Sequence, residues 1–186
     1  DILRSHADQS DVVIGMITWF PVQARAPICI PAPQNYTSFR ELVEDYLSAA
    51  YFDCLYSACA KLYRNTKKPS MQFDETVKWA EDMLFNLEYL PRCQNIRVIP
   101  DEVYRYRQEN ASSLSRRFYF GEPAIRIREY KDYEAVLGEV HPAMRCVARK
   151  FVYYMCNYFV RLCMLSSKDK AEKMLIMNYW LDMGVG

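Results

Sequence analysis

The chain has 186 residues, 51 % of them hydrophobic and 25 % charged, which is enough for one folded core and excludes a disordered protein. Its formal net charge of +1 excludes attraction of nucleic acid or an anionic membrane by the charge of the whole molecule. Only five glycines occur and none is clustered, which argues against a glycine-rich phosphate loop and a turn-rich all-β fold.

Residues 1–34 are expected to form an extended, proline-rich segment along the outside of the fold. Residues 1–10 are polar and are expected to fray, whereas the β-branched and aromatic run 12–20 is typical of a strand. The following prolines exclude a regular helix because each fixes φ and lacks an amide donor; they are Pro21, Pro27, Pro31 and Pro33.

Two amphipathic helices are predicted next. The first begins at Ser38, which has the spacing of a capping box with Glu41, and it runs to about Arg64. The second spans residues 73–90, where apolar side chains repeat at intervals of three and four and form one continuous face. Pro91 is expected to end this second helix.

The middle of the chain has short β elements. Residues 95–99 alternate as a short strand that Pro100 is expected to end, and residues 101–109 are predicted to form one or two turns of helix. Residues 117–130 resemble a hairpin with one apolar and one basic face, because isoleucines alternate with arginines in its second half. A short helix is predicted over 131–138.

The stretch 142–165 is predicted to be a central helix, because nearly all its side chains are large and apolar. Its polar residues lie mostly on one line at multiples of four, namely Arg145, Arg149, Asn157 and Arg161. A last helix is predicted over 168–183. The predicted fold is therefore mainly α: a helical bundle around the helix at 142–165, with a small β-hairpin or strand element. It is expected to form a single helical interaction domain over 1–186, as a fragment of a larger protein.

The cysteines indicate a reducing compartment. There are seven, an odd number, and no CxxC pair occurs. Five lie in apolar helical patterns, namely Cys54, Cys59, Cys146, Cys156 and Cys163. Buried free thiols explain this pattern better than a disulfide framework or a zinc site. The expected location is therefore intracellular, in the cytoplasm or nucleus.

The sequence offers few catalytic candidates. No Walker-type phosphate loop, HExxH helix or GxSxG elbow is present, and the histidines are His6 in the polar start and His141 beside a helix N-terminus. Glu81 and Asp82 are adjacent carboxylates that are interpreted as solvated residues on the polar side of their helix. The chain is therefore expected not to be an enzyme and to use neither a cofactor nor a metal.

A basic and aromatic region spans residues 104–131. Arginine and tyrosine are the residue types favoured at protein interfaces, so this region is predicted to bind a partner. The predicted partner-binding residues are Arg105, Arg107, Arg116, Arg117, Tyr119, Arg126 and Arg128. Arginine with aromatic side chains also suits single-stranded nucleic acid, through phosphate contact and base stacking.

These features favour a protein–protein interaction or scaffolding module of a larger intracellular protein, whose partner is another protein and not a membrane. The first alternative is a module that binds RNA or single-stranded DNA through residues 104–131. The second is a viral helical-bundle protein that sequesters a host partner. Composition does not separate a viral from a cellular origin.

Overall fold

The computed structural model describes residues 1–20, 33–46, 57–65, 71–73, 75, 81–107, 134–135, 138–139, 160–161, 163–165 and 168–182. The chain divides into two compact units, unit 1 at Asp1–Asn110 and unit 2 at Ala111–Gly186. This division does not establish separate folding domains, so the single-domain expectation stays a prediction.

Unit 1 contains a sheet and short helices in chain order: α1 at Ile2–Ser5, β1 at Val12–Phe20, β2 at Gln34–Tyr36, α2 at Phe39–Tyr46, β3 at Lys61–Tyr63, α3 at Glu81–Tyr89 and β4 at Ile96–Arg107. A 3-10 turn at Leu90–Arg92 joins α3 to the segment before β4. In unit 2 the described elements include α4 at Lys170–Asp182, which lies within the range 168–183 predicted for the last helix.

The sheet has four strands in the order β2-β4-β1-β3. Strands β1 and β4 are parallel, and the two outer strands are antiparallel to their neighbours. The prediction of a mainly helical bundle is therefore wrong. The prediction rested on helical patterns in the sequence. Two of the segments predicted to be helical, Lys61–Tyr63 and Asp101–Arg107, belong instead to strands that pair with β1.

The amino half of β1 lies in the core. Val12, Val13 and Ile14 are at most 1 % exposed although their side chains point to alternate faces. A strand buried on both faces is expected where a parallel pair is covered by other elements. The strand predicted at 12–20 is therefore confirmed, and it is central rather than part of an outer extended segment.

Two predicted helices are shorter than expected. Ser38 Oγ accepts the amide of Glu41 at 3.2 Å, as a capping box requires, and the Glu41 carboxylate accepts the Thr37 amide at 2.7 Å. The prediction that this helix runs to Arg64 is wrong, because Lys61–Tyr63 pairs with β1 as a strand. The second predicted helix is described over Glu81–Tyr89.

Strand β4 continues through a proline that was expected to end it. Ile96–Val98 pairs with β1 in one register and Tyr104–Arg107 pairs in another, and Glu102 lies opposite Met16 between two irregularities. Pro100 falls in this interval, where a missing amide donor is tolerated. The helix predicted over 101–109 is therefore wrong for Asp101–Arg107, which is extended.

Several expectations fall mostly outside the described residues: the proline-rich segment, the hairpin at 117–130 and the central helix at 142–165. Of that central helix, residues 160–161 and 163–165 are described and are helical. Cys163 is a free and fully buried thiol, as predicted. Among the described residues, no helix is long and apolar enough to span a bilayer.

Candidate functional site

The carboxyl halves of β1 and β4 run side by side, with Ile17 opposite Tyr104 and Thr18 opposite Arg105. In open α/β sheets, ligands bind beyond the carboxyl ends of parallel strands. The turn before β3 lies beside the middle of β1, because the amide of Gly15 donates to Ala60 O at 2.8 Å.

This arrangement gathers polar side chains from one turn and three elements. The turn before β3 contributes Ser57 and Cys59, β3 contributes Lys61, the first turn of α3 contributes Asp82, and β4 contributes Tyr104. We call these five residues the carboxyl-edge site.

Asp82 is the carboxyl group of this site. It is partly buried, and its Oδ2 accepts the amide of Ala58 at 3.2 Å while Oδ1 accepts that of Met83 at 2.9 Å. Burial raises the pKa of Asp82, and the negative charge of Glu81 adds to this, whereas the Ala58 and Met83 amides and the Lys61 ammonium oppose it. The interpretation of Asp82 as a solvated surface residue is therefore wrong.

The turn from Ser57 to Lys61 is closed by its own hydrogen bonds. Ser57 Oγ accepts the amide of Cys59 at 3.1 Å, and Lys61 Nζ donates to Ser57 O. Ala60 has φ of 60°, in the left-handed region that side chains other than glycine rarely adopt. These contacts fix the position from which the Ala58 amide reaches Asp82.

Tyr63 connects the site to the core. Its hydroxyl donates to Asn86 Oδ1 at 2.7 Å, and Asn86 is completely buried. Its ring makes edge contacts with Phe85 and Tyr89, at centroid distances of 5.3 and 5.0 Å. Burial, with a smaller contribution from the Asp82 charge, raises the pKa of Tyr63. Tyr63 is therefore a neutral, packed side chain that supports the site.

Tyr104 provides an aromatic surface in the site. It is 40 % exposed, and its ring centroid lies 6.5 Å from that of Tyr106 in a tilted arrangement. A hydrogen bond with Cys59 is the main reason that the pKa of Tyr104 is raised. Because Tyr104 and Tyr106 are two residues apart on one strand, they present aromatic area on the same face.

The structure does not bring the sequence-predicted binding residues into this site. Arg105 lies on β4, where alternation directs it to the face opposite Tyr104. Its Nη2 pairs with Glu102 Oε1 at 2.8 Å. The Thr18 hydroxyl and Arg105 lower the pKa of Glu102.

Arg107 ends β4, with its backbone opposite Phe20. The other predicted binding residues lie outside the described residues; they are Arg116, Arg117, Tyr119, Arg126 and Arg128. The binding of a protein, or of RNA or single-stranded nucleic acid, by this region stays a prediction.

The sequence analysis missed Asp82 and Lys61 as site residues. Nothing in the local pattern predicts their proximity, because the segment containing Lys61 was assigned to a helix. The partial burial of the Asp82 carboxyl can be recognised only once β3 is paired with β1. Among the described residues, no group of three or more His, Cys, Asp or Glu side chains is placed to hold a metal ion.

Comparison with known proteins finds matches among solved structures alone. No family model and no curated protein matches the chain. The chain resembles the crystal structure of residues 1–349 of S. aureus TarS in complex with UDP-GlcNAc, at 15 % identity and a TM-score of 0.45. The likeness covers 92 % of this chain and 40 % of that chain, so this chain spans about two fifths of its length. At this level the likeness assigns no ligand.

The interpretation of the chain as a helical interaction or scaffolding module is corrected. That interpretation was inferred from a helical bundle, and the described residues of unit 1 form a mixed sheet instead.

Proposed function

We propose that unit 1 binds a hydroxyl-bearing, nucleotide-linked ligand at the carboxyl-edge site, and that the Asp82 carboxylate accepts a hydrogen bond from a ligand hydroxyl. One observation carries this proposal: a partly buried carboxyl with a raised pKa accepts the amide of Ala58, in the turn that lies beside the middle of β1 in the parallel strand pair. A carboxyl perturbed by burial in such a position is a candidate functional group.

The neighbouring side chains suit this class of ligand. The exposed ring of Tyr104 offers an aromatic face for a base or for the apolar face of a sugar. Tyr106 lies two residues further along the same strand and extends this aromatic face, with its ring centroid 6.5 Å from that of Tyr104.

The raised pKa of Asp82 also favours a second candidate function, group transfer to a hydroxyl. In such a step the hydroxyl oxygen bonds to the transferred carbon, the nucleoside diphosphate leaves with the bonding electron pair, and Asp82 takes the hydroxyl proton. The expectation that the chain is not an enzyme stays a prediction. Release of UDP from UDP-GlcNAc in the presence of a hydroxyl acceptor would contradict that expectation.

Calorimetric titration of the 186-residue chain with UDP-GlcNAc, UDP and GlcNAc tests the binding proposal. Asp82→Asn should weaken UDP-GlcNAc binding by about tenfold or more, equivalent to about 1.4 kcal/mol. Glu88→Gln is the matched control, because Glu88 is an exposed carboxylate on the same helix, paired with Arg92. No binding of any probe at millimolar concentration, or equal affinities for wild type and Asp82→Asn, would contradict the proposal.

We also infer an intracellular location, because Cys59, Cys93 and Cys163 are free thiols. Thiol quantification on protein isolated under non-reducing conditions tests this inference, and disulfide-bonded protein would contradict it.

A further inference from the structure

Two hydrogen bonds within the turn Ser57–Lys61 restrict its conformation. Its first residue is tied twice, through Ser57 Oγ to the amide of Cys59 and through Ser57 O to Lys61 Nζ. Between them the chain passes through the left-handed conformation at Ala60. A residue other than glycine holds that conformation only where surrounding contacts enforce it.

The turn presents one backbone amide to Asp82. The amide of Ala58 donates to Asp82 Oδ2, and it opposes the effect of burial on the pKa of Asp82 more strongly than the charge of Lys61 does. The charged and titratable groups that act on Asp82 are Glu81 from its own helix, and Lys61 and Tyr63 from β3. The hydrogen bond from the Ala58 amide is therefore one of the contacts that set how readily this carboxyl ionises.

We propose that Lys61 is a positioning residue for Asp82: by donating to Ser57 O it holds the turn in the conformation that directs the Ala58 amide at the carboxylate. The importance of this role for a ligand rests on the proposed function, whereas its effect on Asp82 does not. Lys61 acts mainly through the turn, and the attraction of its charge is a smaller addition.

The test is an NMR titration of the Asp82 side-chain carboxyl carbon against pH in the full chain. Lys61→Met removes the hydrogen-bond donor to Ser57 O and the positive charge. Ser57→Ala removes the hydrogen bond between Ser57 Oγ and the Cys59 amide and leaves Lys61 in place. Both should raise the midpoint by about half a pH unit or more, because each weakens a hydrogen bond to the ionised form. Lys61→Arg should restore the wild-type midpoint, and Arg92→Met, ten residues after Asp82 and beyond the other end of α3, should not change it.

Unchanged midpoints in both Lys61→Met and Ser57→Ala would overturn the proposal. A shift in Lys61→Met without one in Ser57→Ala would also overturn it, because a direct charge effect would then account for the change. If Lys61→Met does not fold, Ser57→Ala alone decides, since it removes one hydrogen bond from a partly exposed turn. A midpoint that shifts as expected in a chain that binds no nucleotide would contradict the proposed function and support the positioning role.

Discussion

A Cβ atom at position 15 would lie only 2.4 Å from Cγ2 of Val103, which belongs to the neighbouring strand β4. Gly15 sits in β1 where the pairing of the two strands changes register. Glycine within a strand often marks a close approach of another chain segment. The absence of a side chain at Gly15 therefore lets the carboxyl halves of β1 and β4 remain paired, and this pairing places Tyr104 in the site.

Gly15→Ala should destabilise the protein by about 1–3 kcal/mol, the usual cost of overfilling a packed core. Val103→Ala in the same chain should recover part of this loss, because it removes both methyl groups that the new Cβ would meet at 3.0 Å or less. Denaturant unfolding of both single variants and the double variant measures the coupling. A Gly15→Ala variant as stable as wild type would contradict this account of the strand pair.

Tyr63→Phe should destabilise unit 1 by about 1–2 kcal/mol, because it removes the hydroxyl that donates to the fully buried Asn86. Tyr104→Phe should cost less, because Tyr104 is 40 % exposed and water can replace the hydrogen bond between its hydroxyl and Cys59. Denaturant unfolding monitored by circular dichroism measures both. Equal losses in the two variants would mean that the hydrogen bond of Tyr63 to Asn86 adds nothing specific.

Asp11→Ala should cost about 1–3 kcal/mol, because Asp11 is only 5 % exposed and its Oδ2 accepts the amides of Gln94 and Asn95 at 2.7 and 3.1 Å. Asp11→Asn keeps one acceptor oxygen and should lose less. The exposed Asp8 serves as the control in Asp8→Ala. Thermal unfolding compares the three, and a loss in Asp8→Ala equal to that in Asp11→Ala would contradict the prediction.

The stability of unit 1 should fall as pH rises through the titration of Asp82. Burial raises the pKa of Asp82 above its ordinary value of 3.8, so the folded chain holds this proton more tightly than the unfolded chain. The loss of stability begins near the unfolded value and is complete above the folded one. Asp82→Asn should therefore gain stability relative to wild type as pH increases, which denaturant unfolding at several pH values measures. A difference independent of pH would contradict this.

The sequence predicts those elements whose local pattern agrees with their tertiary setting. Val12–Phe20 combines β-branched and aromatic residues and forms a strand in the core. The spacing of Ser38 and Glu41 marks the start of α2. The last helix needs no long-range partner to be recognised, and α4 lies within its predicted range.

The errors arise where strand pairing overrides local periodicity. Lys61–Tyr63 continues an apolar helical pattern, yet its backbone hydrogen bonds go to β1. Pro100 is a reasonable end for a strand, but an irregularity in the pairing accommodates it. The carboxyl-edge site depends on the two segments that were predicted wrongly. Lys61 lies on β3 and Tyr104 lies on the second half of β4, and only these strands bring the two residues to Asp82 and Cys59.

The pH dependence of UDP-GlcNAc affinity tests the central claim most directly, because both phosphates of this ligand are ionised throughout the accessible range. If a ligand hydroxyl donates to the Asp82 carboxylate, affinity should increase as pH rises through the pKa of Asp82. Asp82→Asn should then give a flat profile, and Glu88→Gln should keep that of wild type. An Asp82→Asn profile that superimposes on the wild-type profile would contradict the assignment of Asp82 to the ligand site.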